Sequence, residues 1–445
     1  MKKLIQLVIC TFVIVSCNNE ENYLPVSKID TQLSELLFKR AGNSEKSYFI
    51  LPSSNDYSKI PQDPKNPITE AKVILGKLLF HETALAQSPK HTDGIGTYSC
   101  ASCHHAKAGF QSCKKQAIGD GGFGFGASGE IRTMAENYTN EMVDVQPIKS
   151  PTILNSAYQK VTLWNGQFGA TGMNINTQAQ WTTGTPKETN NLGFEGLETQ
   201  AIAGLTVHRL EINSSLIENL GYKTLFDDAF ANVNEEKRYT FKNAGLAIAA
   251  YERTVIANEA PFQEWLKGDL NAMTNTEKKG AILFFDKGKC YQCHSGPSLN
   301  SMDFIALGMK DLEGGDILGS PVDEATKKGR GGFTQNTNDN YKFKVPQLYS
   351  VKYNGFYGHG SSFTSIKEII AYKNNGIKEN QDVPDTSLDT RFKPLNLSEE
   401  EVNLITLFVE KSLDDKNLKR YTPERVLSDN CIPNNDVQSQ EDICN

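Results

Sequence analysis

The stretch Cys100-Ala101-Ser102-Cys103-His104 is a Cys-x-x-Cys-His motif, and Cys290-Tyr291-Gln292-Cys293-His294 repeats it later in the chain. Two thiols separated by two residues can form thioethers with the two vinyl groups of one porphyrin, and the histidine that follows lies under the iron as its proximal ligand. One zinc ion held by four thiolates, or a thioredoxin-like redox motif, would also use Cys-x-x-Cys pairs. Neither alternative requires a histidine directly after both pairs. The sequence therefore predicts two covalently bound haem c groups, with His104 and His294 as iron ligands.

Composition and charge favour a folded, globular protein. The chain has 445 residues, of which 38% are hydrophobic and 22% charged, and this length suits two to three domains. The net charge is −7 and no block of like charge stands out. Nucleic acid is therefore excluded as an expected partner.

The N-terminus has the pattern of a processing signal. Lys2 and Lys3 precede the apolar run 4–15, which is too short to span a bilayer. Ile14-Val15-Ser16-Cys17 resembles the lipobox of bacterial lipoproteins. Residues 1–17 are thus predicted to be a lipoprotein signal peptide, with a diacylglycerol on Cys17, and an ordinary secretory peptide is the alternative. We expect the protein on the periplasmic side of the cell envelope, held at a membrane by the lipid alone.

Three further cysteines remain outside the signal, the lipid site and the haem motifs. Cys431 and Cys444 lie in the polar tail 421–445 and could pair in an oxidising compartment. Cys113 has no role that the sequence suggests.

Helical periodicity dominates the rest of the chain. Residues 18–65 are polar and predict a tether, and Thr69 predicts the cap of a helix that ends near Phe80. A similar pattern returns near residue 275, with Thr276 as the predicted cap, and 280–284 resembles 76–80. The fold class is therefore predicted as mainly α, with long loops and two cytochrome-c-like helical haem domains related by internal duplication. Their predicted bounds are 66–270 and 271–420.

Blocks of sequence from about 67 to 413 resemble the bacterial dihaem cytochrome c peroxidase family, which includes MauG. The blocks occur in the family's order and comprise 75–80, the first haem motif, 150–155, 163–166, 197–201, the second haem motif with Gly296-Pro297, 343–348 and His359. The resemblance implies that the first haem is the peroxide site and the second a higher-potential electron entry point. It also implies that Trp164 lies between the haems as a stepping stone for electrons. Without the resemblance, a plain core role for Trp164 would be preferred.

Peroxide chemistry needs an acid–base group above the iron, which takes a proton from the near oxygen and returns it to the far one. The resemblance implies Glu211 for this role, with Gln200 as a second catalytic residue, although the spacing from Gln200 to Glu211 is one residue longer than in the family. Glu195 and Glu198 are fallback candidates. His208 is an alternative as the distal base or an axial ligand.

Two departures from the family concern the iron ligands. No histidine occurs from Ala106 to Leu163, where many members have one that caps the first iron, so we expect an open or water-bound first haem. The second haem's distal ligand, methionine or tyrosine in the family, falls at Lys373 here. Lysine can ligate iron once burial deprotonates it. The neighbouring candidates Met302, Met309 and Tyr372 remain open.

A third departure concerns calcium, which the family holds between its domains. The matching positions here are Lys149, Asn354 and Phe356. A lysine at such a position argues against a bound cation, so calcium is not expected.

The sequence thus predicts an exported peroxidase that reduces hydrogen peroxide to water. A small donor protein, a cytochrome c or a cupredoxin, would supply electrons at the haem on His294. The sequence leaves the oligomeric state open, and a homodimer is one candidate. The alternatives are a MauG-like oxidase acting on another substrate and a non-enzymatic dihaem electron carrier. The absent capping histidine favours an enzyme.

Overall fold

The computed structural model describes residues 27–43 and 45–444. The predicted signal peptide, with Cys17, lies outside the described residues. Within the described ranges the chain is mainly helical, as predicted, with many short 3₁₀ turns. Its α-helices are α1 (Lys28–Arg40), α2 (Glu70–His81), α3 (Gly196–Val207), α4 (Ser214–Asn219), α5 (Lys223–Ala229), α6 (Phe241–Thr254), α7 (Pro261–Lys267), α8 (Asn275–Phe285), α9 (Glu324–Lys327), α10 (Arg330–Thr334), α11 (Ile366–Asn375), α12 (Glu399–Leu407) and α13 (Val437–Ile443).

The strands are short and form two separate ribbons. β1 (Gly122–Phe123) pairs antiparallel with β2 (Thr133–Met134), and β3 (Phe304–Ile305) pairs antiparallel with β4 (Phe343–Lys344). No helix of the described chain has the length and apolarity needed to cross a bilayer.

The first helix pair is formed by α2 and α6. α2 begins where the sequence predicts, because the Thr69 side chain accepts a hydrogen bond from the Lys72 N–H. The two helices cross at Gly76, where an added Cβ would lie only 2.0 Å from the carbonyl oxygen of Ala247. A glycine is therefore required for this close approach of two backbones.

The second helix pair, α8 and α12, is built in the same way. An added Cβ at Gly280 would lie 2.1 Å from the carbonyl oxygen of Leu404. The prediction of Thr276 as the cap of α8 is wrong. Thr274 caps this helix in a reciprocal capping box with Glu277, which satisfies two backbone N–H groups at once. The matching crossings agree with two similar helical units, while an origin by duplication stays a prediction.

The predicted tether 18–65 is wrong for its described part, because residues 28–40 form α1, which packs against α8. Leu33 and Leu37 are one helical turn apart and fully buried, so they supply the apolar stripe that docks the helix. The buried Asp30 carboxylate accepts hydrogen bonds from Trp265 Nε1 at 2.7 Å and pairs with Lys278 Nζ at 2.7 Å. A short apolar stripe and one buried acid were hidden in a stretch that is polar on average.

The C-terminal segment 421–444 is also integrated into the fold, which corrects its prediction as a mere polar tail. The predicted pairing of Cys431 with Cys444 is confirmed. Asp436 forms a buried salt bridge with Arg132 at 3.2 Å, and the Pro433 carbonyl accepts hydrogen bonds from Ser102 and its neighbour Ser99. The segment therefore covers the first haem motif.

Candidate haem sites

The two Cys-x-x-Cys-His stretches have the same local structure. Each begins with a 3₁₀ turn, over Cys100–Ser102 and Cys290–Gln292. The backbone N–H of His104 donates to the Cys100 carbonyl at 3.1 Å, and that of His294 donates to the Cys290 carbonyl at 2.9 Å. All four motif thiols are unpaired. Each turn thus presents two thiols and one imidazole, which is the donor set that a c-type haem requires.

A cavity of about 260 Å³ adjoins the second motif and is lined by Cys290, Cys293 and His294. His294 Nδ1 lies 3.1 Å from the carbonyl oxygens of Leu299 and Pro346. A proton on Nδ1 is therefore held by backbone carbonyls, which leaves Nε2 as the free ligand atom. Burial lowers the pKa of His294 to about 4, so the ring is neutral and able to bind iron near pH 7. The residues at this site fit a haem.

Lys373, on α11, lines the same cavity, and its positive charge depresses the pKa of His294 after the larger effect of burial. Burial lowers the pKa of Lys373 itself to about 8. The adjacent Tyr372 is buried between Phe363 and Phe392, and its hydroxyl donates to a backbone carbonyl. Met309 also lines the cavity. Of the four predicted distal candidates, Lys373 and Met309 reach this cavity wall.

The first attachment turn is more buried, since Ala101 and Ser102 are buried and no residue of Cys290–Gln292 is. Burial lowers the pKa of His104 to about 4, and the nearby carbonyls of Phe110 and Pro151 act in the opposite direction. Burial also raises the pKa of Cys100 to about 12, so its thiol is protonated and not a free thiolate. A neutral imidazole and two thiols held on one turn again fit a covalent haem.

One segment of the chain lies close to both sites. Pro151 lines the second cavity, and its carbonyl is close enough to His104 to influence the pKa of that ring. Trp164 lines the same cavity, and its Nε1 donates to the Lys149 carbonyl at 2.7 Å. The His359 ring stacks on Phe343 with centroids 3.7 Å apart and meets Trp164 edge-on at 6.3 Å. An aromatic group therefore lines the second cavity beside the segment 149–151, which approaches His104.

At the positions matched to the family's calcium site, a lysine side chain binds backbone oxygens. The Lys149 ammonium donates to the carbonyls of Ser112 and Lys114 at 2.6 and 2.5 Å. It also lies 5.8 Å from the Phe356 ring centroid. Two backbone oxygens that could coordinate a metal cation thus accept hydrogen bonds from a side chain. The expected absence of calcium stays a prediction.

Gln200 is one of the few residues of α3 that are not buried, since most of the helix lies in the core. Gly204 and His208 follow it at intervals of four and share its face. His208 Nδ1 lies 2.7 Å from a carboxylate oxygen of Asp144. The charge on His208 lowers the pKa of His104, which places the two rings in electrostatic range.

The predicted glutamates have other surroundings. Glu211 accepts a hydrogen bond from the Ser88 hydroxyl at 2.6 Å. The fallback candidates Glu195 and Glu198 both pair with the buried guanidinium of Arg253, at 3.2 and 2.8 Å. That pairing gives the two fallback candidates a structural role, because the ion pair holds α3 to α6.

Sequence reasoning missed Asp144, which is distant from His208 in the chain. The Gln200, Gly204 and His208 spacing was the one available signal for a functional face on α3. Arg132 was missed as well. Its guanidinium donates to the carbonyls of Ile118, Gly119 and Gly124 and so holds the glycine-rich stretch 119–129, which follows the first motif.

The fold and the two attachment turns define a mainly helical protein with two c-type haem sites. The family profile described as di-haem cytochrome c peroxidase matches residues 70–271. The chain is 28% identical to the methylamine utilization protein MauG of Methylorubrum extorquens over 367 residues, which cover 82% of this chain and 83% of the relative. It is 27% identical to the cytochrome c peroxidase Ccp of Escherichia coli over 364 residues, covering 80% of this chain and 66% of that one.

Two solved structures share the fold. A MauG-like protein associated with microbial copper homeostasis matches with a TM-score of 0.56 and 20% identity, covering 83% of this chain and 95% of its own. The diheme peroxidase BthA of Burkholderia thailandensis matches with a TM-score of 0.52 and 15% identity, covering 81% and 89%. The chain is thus similar over most of its length to bacterial di-haem cytochrome c peroxidases and to MauG. This similarity agrees with the two c-type haems that the sequence predicts.

Proposed function

We propose that this protein is an exported dihaem peroxidase that reduces hydrogen peroxide to water. The observation that carries the proposal is the pair of equivalent attachment turns, with Trp164 and Pro151 lining the cavity of the second. Two haem groups so arranged allow one site to receive single electrons while the other handles a two-electron oxidant. The similarity to cytochrome c peroxidases supports the reaction class.

In this proposal, Cys290, Cys293 and His294 hold the haem at which electrons enter. A small donor protein, a cytochrome c or a cupredoxin, supplies them. Lys373 is the proposed distal group at this site, because it lines the cavity beside His294. Trp164 conducts electrons between the two haems.

Cys100, Cys103 and His104 hold the haem at which peroxide is consumed. When bound, that haem supplies the iron that accepts peroxide and the redox equivalents that split it. The chain must supply a proton relay, for which Glu211 is the sequence candidate, and Gln200 presents an amide on the exposed face of α3. Two electrons and two protons convert one hydrogen peroxide into two waters.

A MauG-like oxidase is the second candidate, and the similarity to MauG over most of the chain favours it. The two candidates differ in where the oxidising equivalents go. A peroxidase passes them to a reduced redox protein. A MauG-like enzyme passes them to an organic or protein substrate.

The deciding experiment combines electron paramagnetic resonance of the oxidised holoprotein with steady-state peroxide consumption in the presence of a reduced cytochrome c. A high-spin ferric signal with turnover supports an open peroxide site that needs no prior reduction. Two low-spin signals without turnover would instead indicate an electron carrier. A high-spin signal without cytochrome turnover would favour the MauG-like oxidase.

Export and lipidation are a separate part of the proposal. We propose that Cys17 carries a diacylglycerol and tethers the protein at the periplasmic side of a membrane, because Ile14-Val15-Ser16-Cys17 matches a lipobox. Labelling with a radioactive fatty acid tests this in the wild type and in Cys17→Ser. Equal label in both would refute it.

A further inference from the structure

His208 and Asp144 form a hydrogen-bonded pair beside the first haem site. The 2.7 Å contact joins His208 Nδ1 to an Asp144 carboxylate oxygen. The His208 side chain is 35% exposed, whereas the Asp144 side chain is 6% exposed. The pair therefore has one buried, anchored end and one accessible end.

Asp144 is held rigidly by the loop that carries it. Its backbone N–H donates to the Asp120 carbonyl at 2.8 Å, and its own carbonyl accepts from the Gly119 N–H at 3.0 Å. Its neighbour Val145 bridges antiparallel to Ile118. This backbone ladder fixes the direction from which the carboxylate approaches the imidazole.

His208 is fixed from the other side by the end of α3. It caps that helix, and Arg209 follows in the left-handed conformation with φ 60°. Arg209 then donates to Asp120 at 2.6 Å. Asp120 also accepts from Tyr138 at 2.6 Å. A non-glycine residue in this conformation costs about 1 kcal/mol or more and persists only where its surroundings enforce it, and here the Arg209–Asp120 pair does so.

A histidine held by a carboxylate at Nδ1 keeps its proton there and offers Nε2 as a base. The two nitrogens lie on opposite sides of the ring, so Nε2 points away from Asp144. His208 shares a helix face with Gln200. The next residue, Arg209, accepts a hydrogen bond at its carbonyl from the hydroxyl of Tyr98, which precedes the first haem motif, at 3.3 Å. These contacts place a base beside the first attachment turn.

We infer that the Asp144–His208 pair, and not Glu211, is the proton relay of the first haem site. This inference rests on the proposed peroxidase function. His208 Nε2 takes the proton from the near oxygen of hydrogen peroxide and delivers it to the far oxygen, which leaves as water when the O–O bond breaks. The two electrons come from the donor protein through the second haem, and two protons from solvent convert the near oxygen into the second water. Asp144 is a positioning residue that holds the tautomer.

The charged groups around His208 predict the pH dependence. Burial lowers its pKa, but the charge and hydrogen bond of Asp144 outweigh burial and raise it above the usual value. Arg209 acts in the lowering direction, and His104 is a further titratable group in range. The base form is lost as pH falls through the raised pKa. The rate should therefore fall on the acid side, and Asp144→Asn should move this limb to lower pH.

The test uses the ferric holoprotein and two probes, hydrogen peroxide and cyanide, each followed by stopped-flow absorbance across pH. Cyanide is present mainly as HCN near neutrality and must lose a proton to bind iron, so its association rate reports the base without turnover. We expect His208→Gln to slow both reactions by about 100-fold or more and to abolish the acid limb. The surface pair His91 and Asp93, 3.4 Å apart, supplies the matched control His91→Gln, which should leave both rates unchanged.

Three results would overturn the inference. The first is Glu211→Gln slowing both probes while His208→Gln does not. The second is an acid limb that Asp144→Asn leaves in place. The third is a low-spin wild-type signal that His208→Gln converts to high spin, since His208 would then be an axial ligand. If the wild type consumes no peroxide but the cyanide results hold, the peroxidase proposal fails and the relay stands.

Discussion

Gly280 offers a sharp test of how the second haem unit is assembled. It lies on α8 where that helix crosses α12, and alanine there would place its Cβ 2.1 Å from the Leu404 carbonyl oxygen. Real Cβ contacts essentially never fall below 3.0 Å. The helices would have to separate by about 0.9 Å, the difference between these distances, because a backbone oxygen cannot rotate away. The second haem motif follows α8 directly.

The expected free-energy change has two opposing parts. Overpacking a well-packed contact costs about 1–3 kcal/mol. Alanine is a better helix former than glycine by about 0.8–1.0 kcal/mol, which offsets part of that cost. We therefore expect Gly280→Ala to lower the free energy of unfolding by up to about 2 kcal/mol. Gly76→Ala, at 2.0 Å from the Ala247 carbonyl oxygen, should behave alike.

The assay is urea denaturation of the holoprotein, followed by far-ultraviolet circular dichroism, with haem content measured in parallel. Gly315→Ala is the matched control, because no atom lies within 4 Å of the Cβ that it would add. That control should change stability little or raise it slightly. If Gly280→Ala raised the stability by about 0.8–1.0 kcal/mol, the gain that helix propensity alone would give, the close crossing inferred for α8 and α12 would be refuted.

Three further predictions concern other parts of the molecule. Arg253→Met should cost about 3–5 kcal/mol of unfolding free energy, because it leaves the fully buried Glu198 without its partner. Adding Glu198→Gln should recover part of this loss in the same urea assay. If the effects of the two substitutions simply added, the pairing would be contradicted. Leu37→Ala should cost about 2–5 kcal/mol, since this side chain is 0% exposed; the exposed Glu35→Ala is its control, and equal effects would show that α1 is not docked. Lys373→Ala should change the electron paramagnetic resonance signal of the second haem, and Lys373→Arg should do the same because arginine does not deprotonate; an unaltered signal would assign the ligand elsewhere.

The helical elements beside the motifs were predictable because their signals are local. Thr69 and Ser398 cap α2 and α12 through contacts that span three residues. The attachment turns were equally predictable, because covalent haem attachment requires the spacing that Cys100, Cys103 and His104 have. Where several local patterns compete, as Thr274 and Thr276 do at the start of α8, the reciprocal bond with Glu277 decided the outcome.

The N-terminal and C-terminal segments show where prediction from local sequence fails. Average polarity predicted a tether before residue 66 and a tail after residue 420. Two buried leucines and Asp30 dock the first segment, and Asp436 ties the second to Arg132. The partners of these residues are hundreds of positions away along the chain, so composition could not reveal them.

The sequence by itself determined that the protein carries two Cys-x-x-Cys-His haem motifs within a mainly helical chain, because a covalent attachment turn needs neighbouring residues only. Tertiary structure alone decided which groups face those motifs. Lys373 reaches the cavity of His294 from α11, and Asp144 reaches His208 from a loop, through packing that no periodicity encodes. Proton transfer depends on separations of a few ångströms between side chains from distant segments, and only the folded chain establishes those separations.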